Sequence, residues 1–460
     1  MHSVRCLAIS IVALAAVAST AESAELVGRA VLPAATFAPG PTSGQFITSA
    51  NGVSVPFANK QPVQGLSGVA PGPVPGTYNF IIDNGFGAKN NSADSLLRVF
   101  SFRPDFTTGK VVPVNRTSGR DSRFDRSDWF ITLHGINGQN RTGFQPVFKD
   151  ANYPNGAGNI PVDPRITSQR LLTGSDFDVE GIVRAKDGSY YFGDEFGPFI
   201  FHTDKSGRLL KGVPAALPNR TGIGSNPLIQ SPDYPTPVAG SALPPVSGSA
   251  NSQSSGGFEG FTINPSGTKI YALLEKALTG DADPQRRFIN VYSTATNTYL
   301  NELYAYKVGD PNGNNNGIDP TGNSIGDMNM INDHEILVIE RDQNQGSASR
   351  FKRVYLADLS TVDAQGFVKK TLVADLMNVS DPNNLGANGT SAGVFTMPFV
   401  TIENVMAVSP DTILVANDNN FPFSSGRTPG QPDDDEIVLI KLDAPLNVVC
   451  SPANPVPCAP

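Results

Sequence analysis

The chain has few of the side chains with which proteins bind zinc. Among its 460 residues are only three cysteines and four histidines. His134, His202 and His334 are the histidines that follow the apolar N-terminal segment, and no spacing of histidine and cysteine matches a zinc motif. The sequence therefore gives no support to zinc chemistry. His202 lies in a predicted strand and is expected to be packed or paired.

The chain also lacks long interior apolar runs and an excess of positive charge. No interior stretch reaches the length needed to span a bilayer. The 42 acidic residues outnumber the 34 basic ones, which gives a formal net charge of −8. Because a phosphate backbone requires a basic face, we expect no nucleic-acid partner. The composition suits a soluble protein, or one whose acidic side chains gather around a cation.

The N-terminus is typical of a signal peptide, which we predict to span residues 1–21. Arg5 supplies the positive start, and residues 7–17 form a short apolar core. Small residues then offer cleavage after Ala18 or after Ala21. The mature protein is therefore expected to be secreted or periplasmic.

The tail at residues 443–460 is rich in proline and carries Cys450 and Cys458. Two nearby cysteines in an oxidising compartment predict a local disulfide. Because its loop is short, this bridge is expected to fix the tail more than to stabilise the fold.

A strand, a tight turn and a second strand recur four times in the second half of the chain. Each copy opens with an acidic residue and closes with a polar pair. The opening acids are Glu180, Glu259, Asp327 and Glu403. The closing pairs are Asp194-Glu195, Glu275-Lys276, Glu340-Arg341 and Asn417-Asp418. An earlier copy has Ser67 in place of the acid and closes on Asp83-Asn84. Repeats of this size predict an array of similar units.

The repeats predict an all-β fold, a β-propeller of about six four-stranded blades, with five to seven allowed. The single domain is expected to span residues 26–442. Five units are visible, and residues 105–175 are either a degenerate blade or a large insertion. A strand at residues 26–32 is predicted to complete the last blade, which removes an exposed edge. Residues 219–257 and 310–323 are expected to be surface loops without a core.

If the first strand of each unit is innermost, the acids of the repeat meet at one mouth of the channel. Carboxylates that repel one another are stabilised when a cation binds among them. An irregular, oxygen-rich site favours calcium. The predicted metal ligands are Asp83, Asp194, Glu195, Glu259, Asp327 and Glu403. The alternative is that these acids cap turns and pair with nearby basic side chains.

Two basic residues directly follow closing acids of the repeat, Lys276 and Arg341. Cations beside a metal hold an anionic substrate such as a phosphate ester. We therefore predict that both take part in catalysis, together with Glu180 or Glu259, which would orient the attacking water. The alternative for each basic residue is a solvated ion pair.

Five short motifs carry a family resemblance. They are Ile-Asp-Asn-Gly-Phe-Gly at residues 82–87, Asp-Phe-Asp-Val-Glu-Gly at 176–181, Gly-Asp-Glu-Phe-Gly-Pro at 193–198, Gly-Phe-Glu-Gly at 257–260 and Ala-Asn-Asp-Asn-Asn-Phe-Pro at 416–422. The chain from about Gly65 to Leu442 resembles the phytase-like domain family, also named for esterase-like activity of phytase. The resemblance implies a secreted β-propeller that hydrolyses phosphate esters. The Asp-Ala-Ala-Asp-Asp-Pro signature of the calcium-dependent propeller phytases is not in this sequence, so phytate is not implied as the substrate.

These observations predict a secreted metal-dependent hydrolase of phosphate esters. We expect a monomer that binds calcium and a small anionic substrate. One alternative is a carboxyl-ester or lactone hydrolase on the same metal. The other is a non-catalytic propeller that binds a partner through surface loops such as residues 219–257.

Overall fold

A computed structural model describes residues 24–136, 143–154, 159–246 and 248–449 of the protein. The predicted signal peptide and the predicted disulfide between Cys450 and Cys458 lie outside these residues. Strands make up most of the regular structure in the described ranges. No helix within them has the length and apolar character of a membrane span.

The strands follow one another along the chain in antiparallel groups. The first three are β1 (Glu25–Leu32), β2 (Phe37–Pro39) and β3 (Lys60–Pro62). Blade one contains β4 (Leu66–Pro71), β5 (Tyr78–Ile82), β6 (Arg98–Asp105), β7 (Lys110–Pro113) and β8 (Phe130–Thr132). Blade two contains β9 (Val179–Arg184), β10 (Tyr190–Asp194), β11 (Phe199–Thr203) and β12 (Ala215–Ala216). Blade three contains β13 (Phe258–Ile263), β14 (Lys269–Leu274), β15 (Arg286–Ser293) and β16 (Thr298–Lys307).

The C-terminal part of the chain forms two further blades. Blade four contains β17 (Ser324–Met330), β18 (Glu335–Arg341), β19 (Lys352–Val362) and β20 (Val368–Asp375). Three short strands follow, β21 (Val379–Ser380), β22 (Thr390–Ser391) and β23 (Val394–Phe395). Blade five contains β24 (Thr401–Ser409), β25 (Thr412–Asp418) and β26 (Asp435–Lys441). One short α-helix, Pro164–Gln169, and four 3₁₀ turns, Val147–Lys149, Pro320–Gly322, Gly346–Ala348 and Ala387–Gly389, complete the described structure.

Tight turns join the first two strands of the blades. Between β9 and β10, Ser189 N donates to Asp187 Oδ1 at 2.9 Å, and Gly188 has φ of +84°. Between β13 and β14, Gly267 has φ of +75°. Glycine suits these positions because a positive φ strains residues that carry a Cβ. Each short turn holds the start of the first strand beside the end of the second.

The first strand of each blade is innermost, and the five innermost strands touch in a closed order. β4 contacts β9, β9 contacts β13, β13 contacts β17, β17 contacts β24, and β24 contacts β4. The blades approach closely, since a Cβ at Gly326 would lie 2.1 Å from Ile402 O. Asn404 Nδ2 donates to Leu66 O and joins blade five to blade one. The ring is therefore closed, and the predicted β-propeller is confirmed.

Each pair of neighbouring blades buries an apolar cluster between its sheets. Each cluster has members from both blades. Examples around the ring are Val99 and Phe192, Tyr191 and Phe258, Val291 and Met328, Val354 and Val405, and Met406 and Phe80. Burial of one large apolar side chain stabilises a fold by about 1.5–3 kcal/mol. These clusters hold the blades in fixed positions, and they therefore also fix the strand ends that line the channel mouth.

The N-terminal strand completes the last blade, as predicted. β1 pairs antiparallel with β26 from Glu25 opposite Lys441 to Leu32 opposite Asp435. On this pair Glu436 lies between two arginines, with Arg29 Nη2 and Arg427 Nη2 each 2.8 Å from a carboxylate oxygen. We call this group of Arg29, Arg427 and Glu436 the seam. It joins the two ends of the described chain.

The described residues form five blades, within the predicted range but one fewer than the favoured six. Residues 105–175 do not make a blade of their own. β7 and β8 from this interval both pair with β6 and extend the outer edge of blade one. The rest of the described interval packs against blades one and two through residues such as Phe148 and Ile166. The interval is therefore an insertion.

The two predicted surface loops differ from each other. The described part of residues 219–257 contains no strand of the sheets, yet it buries Ile229, Tyr234 and Leu243 against the blades. It is therefore a packed segment, and the expectation of a loop without a core is wrong there. Residues 310–323 are mostly exposed and contain only a short 3₁₀ turn, as expected.

Candidate metal centre

The pairing of the first two strands is interrupted at the same place in every blade. In blades two to five the interruption leaves Glu180, Glu259, Gly326 and Glu403 without a cross-strand partner. In blade one it falls between Leu66 and Val69, at Ser67 and Gly68. A bulged residue re-aims its side chain. Three of the five bulges therefore direct a glutamate into the channel mouth.

The bulges and the ends of the second strands line one cavity. Its acidic members are Asp83, Asp178, Glu180, Glu195, Glu259, Glu275, Glu403 and Asp418. Its basic members are Lys276 and Arg341. Neutral polar residues, including Asn84, Gln343, Thr401 and Asn420, complete the lining. Eight carboxylates and two basic groups leave a formal excess of six negative charges.

One group of acids lies between blades one and two. Carboxylate oxygens of Asp83, Asp178 and Glu180 come within 4.8 Å of one another. Asn84 donates to Asp178 from its backbone N at 3.0 Å and from Nδ2 at 2.8 Å. Gly85 N donates to Asp83 Oδ1 at 2.7 Å. Within the described structure, the hydrogen bonds to this group come from neutral donors.

A second group contains the bulge glutamates of three blades. Carboxylate oxygens of Glu180, Glu259 and Glu403 also lie within 4.8 Å of one another. Arg341 Nη2 is 2.9 Å from Glu403 Oε1 and 3.5 Å from Glu259 Oε1. Ser67 Oγ, at the bulge of blade one, donates to Glu403 Oε2 at 3.1 Å. Blade four therefore contributes a cation to this group instead of a glutamate.

The remaining acids of the cavity extend this pattern. Arg341 Nη2 donates to Glu275 Oε1 at 3.1 Å, and Lys276 Nζ lies 3.1 Å from Glu275 Oε2. Gly257 N donates to Glu195 Oε1 at 3.2 Å. Lys276 is partly exposed at the rim, whereas Arg341 is buried.

The crowding of buried carboxylates shifts their protonation. The pKa values of Asp83, Glu180, Glu195 and Glu259 lie well above their usual range, those of Asp178 and Glu403 are raised, and that of Asp418 is raised to about 8. Burial is the largest cause for each of them, and repulsion between neighbouring carboxylates adds to it at Asp83, Glu180 and Glu259. Burial alone lowers the pKa of Arg341, but the surrounding carboxylates, Glu403 first, raise it above its usual value.

Two predicted ligands, Asp194 and Asp327, do not line the cavity. Asp194 accepts hydrogen bonds from Asp178 N and Gly197 N, each at 2.8 Å. Asp327 accepts from Met328 N at 2.7 Å and from Val405 N at 2.9 Å. Both acids therefore bind backbone groups.

The position of Asp327 follows from a shift of one residue. The bulge of blade four falls on Gly326, so Asp327 regains a cross-strand partner, Ile339. Adjacent residues of a strand point to opposite faces, so a shift of one residue turns the side chain away. The sequence repeat aligned Asp327 with the bulge glutamates and could not detect this shift.

The other predicted residues do meet at the mouth. Asp83, Glu180, Glu195, Glu259, Glu403, Lys276 and Arg341 all line the cavity. Three acids of the cavity were missing from the predicted set: Asp178, Glu275 and Asp418. Signals for them exist, since Asp178 lies two residues before Glu180 in a family motif and the other two are closing acids of the repeat.

The donor set fits a hard cation. All the clustered ligand atoms are oxygens, which calcium and magnesium prefer. Oxygens bound to one calcium at about 2.3–2.6 Å lie within about 5 Å of one another, as both groups do. Glu259 Oε1 is buried and accepts no hydrogen bond within the described structure. A bound cation would satisfy this oxygen.

A second recess opens beside the acidic cavity. It shares Gly87, Asp178 and Ser255 with the cavity, and it is also lined by Lys89 and Phe196. Lys89 Nζ lies 5.0 Å from the centre of the Phe196 ring. The recess therefore combines an apolar surface and a cation next to the acids.

A closed propeller with a buried acidic mouth is the class that the fold and the site define. The family model described as "Phytase-like: Esterase-like activity of phytase" matches residues 61–421. The chain belongs to this phytase-like family.

Comparison with curated proteins gives a distant relative. An uncharacterized secreted protein of Arthroderma benhamiae is 26% identical over 235 residues, which cover 47% of this chain and 43% of the relative. The chain thus matches less than half the length of this relative.

Solved structures resemble the chain in overall arrangement only. The WD40 repeats of RRP9 align with a TM-score of 0.33 and 9% identity, covering 91% of this chain and 99% of that chain. Virginiamycin B lyase from Staphylococcus aureus aligns with a TM-score of 0.29 and 11% identity, covering 82% of this chain and 95% of that chain. Likeness at this level carries no argument about activity.

Proposed function

We propose that the protein is a metal-dependent hydrolase of phosphate esters that acts outside the cytoplasm as a monomer. One observation carries the proposal: eight carboxylates and two basic side chains converge at one mouth of the channel. Without a divalent cation this cavity repels a phosphate ester. With one, it presents both a positive centre and the basic groups that an anionic substrate needs.

The residues that would hold the cation are the two clustered groups. Asp83, Asp178 and Glu180 supply oxygens from blades one and two, and Glu259 and Glu403 supply them from blades three and five. Calcium fits this donor set. When bound, the cation lowers the pKa of a water and polarises a phosphoryl oxygen.

The chain's own side chains would perform the remaining tasks. Glu180 and Glu259 face the cavity from bulges, and one of them would orient the attacking water through a carboxylate oxygen that the cation does not use. Arg341 is fixed by Glu403 and Glu275, so it would offset negative charge on the transferring group without moving. Lys276, at the rim, would contact the substrate from the solvent side.

The adjoining recess would take the part of the substrate that leaves as an alcohol. Its Phe196 and Lys89 lie next to Asp178, which belongs to both spaces. An alcohol with an apolar ring fits this lining.

The proposed location has support from two sources. The N-terminal sequence is typical of a signal peptide, and the relative in Arthroderma benhamiae is described as secreted. Mass spectrometry of the mature protein, isolated from its native host, tests it: a chain beginning near residue 19 or 22 supports export, and an intact Met1 contradicts it.

A paired assay tests the activity. We expect release of phosphate from an aryl phosphate that requires calcium and stops with chelator. Glu180→Gln and Glu259→Gln should each lower this rate at least tenfold, which corresponds to about 1.4 kcal/mol of barrier. Glu302→Gln is the matched control, because Glu302 lies outside the cavity, is half-buried and, among the described residues, forms its ion pair with Lys269. No turnover over a broad panel of esters would reject the proposal and favour a binding propeller.

Carboxyl-ester hydrolysis on the same cation is the second candidate. The description of the family, esterase-like activity, favours it. An aryl acetate in the same assay distinguishes the two. Calcium-dependent turnover of acetate alone selects this candidate, and loss of rate in Lys276→Met on phosphate but not on acetate supports the first.

A further inference from the structure

The acids of the cavity form two groups that share one residue. Glu180 belongs both to the group with Asp83 and Asp178 and to the group with Glu259 and Glu403. Each group has three carboxylate oxygens within 4.8 Å, the spacing expected around one calcium. Calcium is coordinated by oxygens at about 2.3–2.6 Å. A carboxylate has two oxygens, so the carboxylate of Glu180 can contact two ions, one with each oxygen.

A buried oxygen that accepts no hydrogen bond indicates that the second group is built for a ligand. Glu259 is 3% exposed and its Oε1 accepts no hydrogen bond in the described structure. The nearest cationic atom, Arg341 Nη2, lies 3.5 Å away. An unsatisfied buried carboxylate oxygen destabilises a fold, so a structure that keeps one is expected to pair it with an ion or a water.

The two groups differ in how much of their charge the protein already balances. Arg341 contacts Glu403 and Glu259 of the second group. The hydrogen bonds described for Asp83 and Asp178 come instead from the neutral donors Gly85 and Asn84. The first group therefore attracts a cation more strongly, because Arg341 repels a cation from the second.

We propose that the cavity binds two divalent cations of unequal affinity that share Glu180 as a common ligand. The tighter ion is held by Asp83, Asp178 and Glu180, and the weaker ion by Glu180, Glu259 and Glu403. Two divalent ions reduce the excess of six negative charges to two, whereas one ion leaves four. This inference rests on the proposed metal-dependent function and adds the number, order and ligands of the ions.

Calorimetric titration of the metal-free protein with calcium tests the proposal. We expect two ions per chain, with dissociation constants that differ at least tenfold. Asp83→Asn should abolish the binding of the tighter ion or weaken it at least tenfold. Glu259→Gln should have the same effect on the binding of the weaker ion. These variants are conservative, because Asp83 keeps an oxygen for Gly85 N and the free oxygen of Glu259 has no hydrogen bond to lose. Glu180→Gln should weaken both ions.

Asp327→Asn is the matched control, a buried acid one residue from a bulge position, and it should retain both ions. Circular dichroism at saturating calcium verifies that each variant is folded. If one of them is not, electron paramagnetic resonance of the wild-type chain loaded with manganese replaces it. Spin coupling between two manganese ions supports a shared ligand, and a spectrum of isolated ions contradicts it.

The outcomes separate this inference from the proposed function. One ion per chain with calcium-dependent hydrolysis rejects the second ion and leaves the function standing. Two coupled ions without hydrolysis of any ester reject the function and leave the inference standing. No bound ion at all rejects both.

Discussion

The seam and the channel mouth both bury glutamates, but they treat the charge in opposite ways. At the seam Glu436 has two arginine partners, and although burial by itself raises its pKa, Arg29 and Arg427 lower it below its usual value. At the mouth eight carboxylates share two basic groups, and the pKa of Glu180 is raised well above its usual value by burial and by Asp178. At the seam two arginines outnumber the one glutamate, whereas at the mouth the carboxylates outnumber the basic groups by six, so the mouth needs added positive charge. This difference separates a structural ion pair from a binding site.

The largest effect is expected when the mouth loses its buried cation. Arg341→Met leaves Glu403, Glu275 and Glu259 without their shared partner. Breaking a buried pair on one side typically costs about 3–5 kcal/mol. We expect a loss of this size in unfolding free energy for the metal-free protein at pH 8, measured by urea denaturation, with calcium restoring part of it. Arg103→Met, at the exposed pair with Asp121, serves as control with a loss below about 1 kcal/mol. Equal stability of Arg341→Met and wild type would contradict the assigned role of Arg341.

The seam should lose stability without any response to metal. Glu436→Gln keeps a hydrogen-bond acceptor but removes the charge between Arg29 and Arg427. Loss of hydrogen bonds to charged groups suggests a cost of about 2–3 kcal/mol. The same urea titration should give the same loss with calcium and with chelator. A loss that calcium repairs would mean that the seam and the mouth are coupled.

The two regions should respond to pH with opposite signs. The acids of the mouth have raised pKa values, about 8 for Asp418, so their protonated form stabilises the metal-free fold. That contribution is complete below the unfolded pKa of about 4 and is lost as the pH rises toward about 8. The loss is about 1.4 kcal/mol per pH unit for each acid that is protonated in the folded state and ionised in the unfolded state. The lowered pKa of Glu436 works in reverse, and its contribution is lost as the pH falls below about 4.

Thermal unfolding between pH 5 and pH 8, with calcium and with chelator, measures this contrast. Calcium should raise the melting temperature more at pH 8 than at pH 5, because the acids must release protons before they bind it. A calcium effect that is equal at both values would contradict the raised pKa values at the mouth.

The smallest effect is expected at the rim. Lys276 is partly exposed and pairs with Glu275 at 3.1 Å, and Glu275 keeps Arg341 as a second partner, so Lys276→Met should lower the unfolding free energy by less than Arg341→Met does. Comparison with Arg341→Met under the same conditions sharpens the contrast between rim and interior. A loss as large as that of Arg341→Met would show that the two basic residues share one structural role.

Much of the architecture could be predicted from the repeat, because strand pairs and their turns are determined by local sequence. The innermost position of the first strands and the pairing of β1 with the last blade followed from the same pattern. The blade count was harder, since the length of residues 105–175 suits a degenerate blade as well as an insertion, and the pairing of β7 and β8 with β6 distinguishes the two.

The sequence predicted which strands contribute acids to the site, but it did not predict the strand register that decides which side chains reach the cavity. The opening acids of blades two, three and five do reach the mouth, because each falls on a bulge. Asp327 does not, because the bulge of blade four is one residue earlier, at Gly326, where blade five approaches so closely that a Cβ would lie 2.1 Å from Ile402 O. The role of Arg341 as shared partner of three glutamates likewise depends on distances between blades, which no local pattern contains.

The seam has a consequence for the order in which the protein is made. Of the described strands β1 is synthesised first and its partner β26 last, and Arg29 and Glu436 are separated by 407 residues. Contacts between such distant parts of a chain form slowly. Until they form, β26 has an open edge that can pair with another molecule. During synthesis, blades one to four can therefore form in sequence, whereas blade five is complete only when β26 has been made and has paired with β1. Truncation before residue 435 should leave β1 without its antiparallel partner and the last blade incomplete.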